Sequence, residues 1–158
     1  MITSGIHAGT QIGESNRRVA WACCATGVLV GLVMGLWSFD GPMPVPGWLG
    51  EYGSTPRRLA RLGHIAFIGL GILNLLLVQE LRVTGLSNRL ARVASGTMNF
   101  GNIALPVVLL GAAVWPPLKY LLSVPASAVF VSLVLAAFGA GFRRRGGPIP
   151  AATKGVRS

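Results

Sequence analysis

Four apolar stretches, at 19–39, 62–78, 94–115 and 121–142, alternate with short polar connections that carry prolines and most of the charge. Each stretch is near the length of about 20 residues that a helix needs to cross a hydrocarbon core. A segment in lipid has to satisfy its own backbone, so these stretches are expected to be helices. Thr55 and Pro56 form a cap and first-turn pair that lengthens the second helix to 57–80. The expected fold is all-α, an integral membrane four-helix bundle running up-down-up-down. A polar N-terminal tail (1–18) and a basic C-terminal tail (143–158) flank a four-span domain (19–142). The first stretch exceeds the apolar part of a cleaved signal peptide and has no small-residue cleavage site, so it is expected to be retained.

The polar and small residues within the stretches are not scattered. Gly27, Gly31 and Gly35 recur every four residues in the first span, and Cys23 extends the row by one turn. Such a GxxxG row lets two backbones come close in lipid, within one chain or between two. Ala128, Ser132 and Ala136 repeat the pattern in the fourth span, so these two helices are expected to pack on each other. In the second helix Ala60, His64, Phe67, Gly71, Asn74 and Val78 share one stripe at 100° per residue. In the third, Ser95, Asn99, Asn102 and Pro106 do the same. A polar side chain aimed at acyl tails is penalised, so His64, Asn74, Asn99 and Asn102 are expected to face the bundle interior. Pro106 has no amide hydrogen, which kinks the third helix and frees the carbonyl of Asn102.

Composition supports this pattern: the mean hydropathy is +0.62, with 52% hydrophobic and only 11% charged residues. The formal net charge of +10 fits topology better than nucleic acid, because the bases are not interleaved with aromatics on one face. With both termini on one side, that side holds Arg17, Arg18, Arg82, Arg89, Arg92, Arg143, Arg144, Arg145, Lys154 and Arg157. The other holds Arg57, Arg58, Arg61 and Lys119. The positive-inside rule then puts both termini in the cytoplasm, and a bacterial inner membrane is the expected location. Arg143, Arg144 and Arg145 are placed to hold anionic head groups.

Candidate chemistry is sparse. Cys23 and Cys24 are the only cysteines; neighbours on a helix point about 100° apart, so no disulfide is expected between them and packing is their expected role. No nucleophile elbow, metal-binding histidine pair, intramembrane aspartate pair or phosphate loop is present. His64 is the sole histidine in a span and the one cofactor-binding candidate, as a haem ligand with Met98 opposite; the two lie near the starts of antiparallel helices, which counts against the pair. The expected function is therefore that of a non-enzymatic accessory, assembly or scaffold subunit, without a metal or resident cofactor, associating as a homodimer or within a larger membrane complex. The alternatives are a small transporter or channel with a polar pathway around His64 and Asn102, and a haem-bearing electron-transfer subunit.

Overall fold

A computed structural model describes residues 4–38, 41–83 and 86–145, with side chains over 13–141. Its elements are α1 (Ser4–Gly35), α2 (Thr55–Val83), α3 (Asn88–Val114), a short 3₁₀ turn (Pro116–Leu121) and α4 (Ser123–Arg145). Among the described residues all four α-helices are long and apolar enough to span a membrane. The protein is all-helical.

Three helix starts differ from the sequence expectation, each for a local reason. The first helix begins in the segment expected to be a loose tail, and its span-length portion runs from Gly13 to Gly35. Ser54, not Thr55, caps α2: its hydroxyl accepts the amide of Arg57 at 3.4 Å, and its carbonyl accepts that of Arg58 at 3.0 Å. The third helix starts at Asn88, inside the expected polar connection between the second and third spans, because Ser87 is extended (φ −61°, ψ 151°) and accepts from the Leu90 amide. Arg89 and Arg92 accordingly stand on the first turns of α3. The connection between α1 and α2 is pinned by Leu49, which is 2% exposed and packs with Ala60 and Ala113. Its Gly50 takes φ +65°, a left-handed turn that costs glycine little.

The helices pack in chain order, α1 on α2, α2 on α3 and α3 on α4, with a smaller face between α1 and α3. Among the described residues α1 and α4 share no substantial face, in place of the expected pairing. Their small residues serve other neighbours. A Cβ at Gly27 would stand 2.6 Å from Ile68 and 2.9 Å from the Cβ of Phe67, and one at Gly31 would stand 2.9 Å from the His64 ring. The first glycine row thus closes on α2 of the same chain as far as Gly31; Gly35 has open space around it. Gly71 of α2 returns the contact, since a Cβ there would meet Cys24 and the carbonyl of Ala20. On α4, Ser132 is buried and donates to the Ala94 carbonyl at 2.8 Å, while Val129 fills the space left by Gly101 of α3. Ala136 packs beside Leu70, Leu77, Met98 and Val129, the apolar core of the central helices. Ala128 is half-buried on the same helix.

Because the order is serial, α1 and α4 are the outer helices, and only 17% of each apolar window is buried, against 39% for α2 and α3. Leu29, Leu32, Phe130 and Phe138 are among the large side chains left facing outward. In water such faces would be a liability; in lipid they are the solvated surface.

Candidate functional site

The polar interior is built where α1, α2 and α3 meet. Asn16 of α1 donates from Nδ2 to Oδ1 of Asn74 on α2 at 2.6 Å. Asn74 in turn donates to Oδ1 of Asn99 on α3 at 2.9 Å, and Asn99 donates to Oδ1 of Asn16 at 3.5 Å. The three amides close a head-to-tail ring in which each gives one hydrogen and accepts one. Ser95, a turn before Asn99, adds its hydroxyl to Asn16 Oδ1. Asn16 and Asn74 are fully buried and Ser95 nearly so. An amide buried without partners costs about 1–3 kcal/mol, and the ring removes that cost for three helices at once.

Sequence reasoning found Asn74 and Asn99 but missed Asn16, which it left in the polar tail. A signal was present: Asn16, Ala20, Cys23 and Gly27 follow one another at helical spacing, and all four are buried. The small-residue row of α1 therefore continues into the supposed tail.

The other two expected interior residues stand apart. Asn102 is fully buried, yet neither atom of its side-chain amide has a hydrogen-bond partner in the protein. Its backbone carbonyl, the one that Pro106 cannot serve, accepts the thiol of Cys23 at 3.7 Å. Cys24 makes the equivalent contact to the Ile68 carbonyl at 3.8 Å. His64 is ten positions from Asn74 on the same helix, which is about 15 Å along its axis. Its ring lies against Gly31, with Nδ1 3.3 Å from the carbonyl of Arg61.

These placements bear on cofactors. Met98 is fully buried among Leu70, Leu77 and Val129, whereas His64 leans on α1 near the other end of α2. Among the described residues no group of three His, Cys, Asp or Glu side chains could hold a metal ion.

Charge is kept near the two ends of the apolar spans. A groove of about 560 Å³ at one end is lined by Glu14, Arg17, Arg18, Trp21 and Arg82, with Glu14 and Arg18 paired one turn apart. At the opposite end Arg57, only 7% exposed, donates to the carbonyl of Trp37 at 2.7 Å and so joins the close of α1 to the start of α2. Arg143, Arg144 and Arg145 close α4, but their side chains lie outside the described residues, as does Asp40. No protein family model matches this sequence, and the searches of curated proteins and of solved structures return no match.

Proposed function

We propose that this chain is a non-catalytic integral membrane protein, an accessory or assembly subunit of a bacterial inner membrane, with its helices running up-down-up-down and both termini cytoplasmic. The distribution of bases supports that orientation, ten on the terminal side against four on the other. The subunit reading is carried by one observation: the interior amides of Asn16, Asn74 and Asn99 are spent on one another. Polar side chains locked in a closed ring hold helices together and do not line a path. Gly27 and Gly31 are likewise spent inside the chain, so association falls to the outer faces of α1 and α4.

Purification in a mild detergent, followed by native mass spectrometry and identification of co-purifying proteins, tests this. The expected result is a homodimer or a complex with a larger membrane protein; a bare monomer in every mild detergent and in nanodiscs would remove the reading.

Transport is the second reading, and the orphaned amide of Asn102 favours it, because a buried polar side chain without a protein partner can be served by a passing solute. Solute flux into liposomes that is lost on Asn102→Leu would move it to first place. Haem ligation comes last. It predicts an absorption band abolished by His64→Ala, and Met98 enclosed by aliphatic side chains speaks against it.

A further inference from the structure

Arg57 is a buried cation, and the described residues place no buried anion beside it. Among the described residues no carboxylate pairs with it: its guanidinium gives one hydrogen bond to the Trp37 carbonyl and faces the Tyr52 ring at 5.1 Å. A guanidinium carries five N–H donors in a fixed fork. Burying that charge among apolar groups is costly unless something neutralises it. The remaining donors are not sealed off, because Arg57 lines a pocket of about 390 Å³ whose other walls include Trp37, Met43, Val45 and Tyr52. That volume falls within the small-ligand range of about 300–1,000 Å³.

The surroundings set the chemistry. The Arg61 guanidinium lies 4.4 Å from the centroid of the same Tyr52 ring and donates to the Tyr52 carbonyl at 3.2 Å, so a second guanidinium stands beside the Tyr52 wall of the pocket. The pocket sits where the apolar window of α1 ends and α2 begins, with Trp48 and Tyr52 exposed nearby, the aromatic signature of head-group depth. Farther along the two helices that carry it, the exposed apolar side chains Leu32 and Val33 of α1 and Ile65 of α2 are available to acyl chains. A fork of donors facing an oxyanion, with an apolar rim and exposed apolar side chains farther along the helices, matches a phosphodiester that carries two fatty chains.

We infer that the Arg57 pocket binds the phosphate head group of an anionic phospholipid, with Arg57 as the anchoring cation and Arg61 as the outer one. This inference does not depend on the subunit reading above.

The experiment measures retention of phosphatidylglycerol and of zwitterionic phosphatidylcholine by the purified full-length protein in native mass spectrometry. The expected result is a preference for phosphatidylglycerol that falls about fivefold or more on Arg57→Gln, the effect of one base at an anionic surface. Val45→Glu places a carboxylate at the same pocket without touching the latch to Trp37, and it should abolish the preference in a protein of unchanged helicity. Arg82→Gln, at the far end of the bundle, should leave the Arg57-dependent part intact. An unchanged preference in folded Val45→Glu overturns the proposal, as does a wild-type protein that retains both lipids equally. Displacement of the lipid by soluble glycerol phosphate at equal concentration assigns the site to a free anion and overturns the lipid. So does a rise in retention on Asp40→Asn, which means that Arg57 is neutralised within the chain.

Discussion

The thiol of Cys23 on α1 donates to the backbone carbonyl of Asn102 on α3, 3.7 Å away. That carbonyl is without its helical partner because Pro106, four residues on, has no amide hydrogen. A contact between two helices thus fills a gap opened by a residue in one of them. Cys23→Ala should cost about 1 kcal/mol in thermal or SDS-driven unfolding, since it leaves a buried acceptor bare. In a Pro106→Ala background the restored amide serves Asn102, and the cost of Cys23→Ala should shrink. Equal costs in the two backgrounds would show that the thiol acts only by its volume.

The amide ring makes a coupled unit of Asn16, Asn74 and Asn99. Hydrogen bonds within membrane proteins average about 0.6 kcal/mol and reach about 1.7 kcal/mol, so a double-mutant cycle of Asn16→Ala with Asn74→Ala should return a coupling in that range. Additive costs would mean that the two side chains act independently. The pair should also tie residues 13–18 to the bundle, and either variant should raise hydrogen exchange there.

The glycines of α1 are predicted to differ sharply under the same change. Gly27→Ala drives a methyl group into Ile68 and Phe67 and should destabilise by about 1–3 kcal/mol. Gly35→Ala meets nothing within 4 Å and should be neutral or gain up to about 1 kcal/mol from helix propensity. Unfolding midpoints of the two variants in one detergent decide the matter; equal losses would contradict an α1 row that is used only in part.

The cap of α2 gives a test of similar form. Ser54→Ala should cost about 1 kcal/mol, while Thr55→Ala, one position inside the helix, should cost less. The reverse order would return the cap to Thr55.

The sequence by itself determined that there are four helices and roughly where they lie, because in a bilayer the backbone has no water to bond and an apolar stretch of sufficient length has one outcome. It also identified Asn74, Asn99 and Asn102 as inward residues and the Asn102 carbonyl as one released by Pro106. Periodicity marks which face of a helix is small or polar, but it does not say which neighbour that face meets. Serial packing is a property of the assembled chain, and it sent the Gly27 row to α2 and the Ser132 row to α3, where the sequence had paired the two rows with each other. The same limit hid Asn16: a lone asparagine among polar residues reads as solvated until two amides from distant segments are brought within 3.5 Å of it. Tertiary structure also set His64 apart from the asparagines, since sharing a stripe fixes direction around a helix axis and leaves distance along it free.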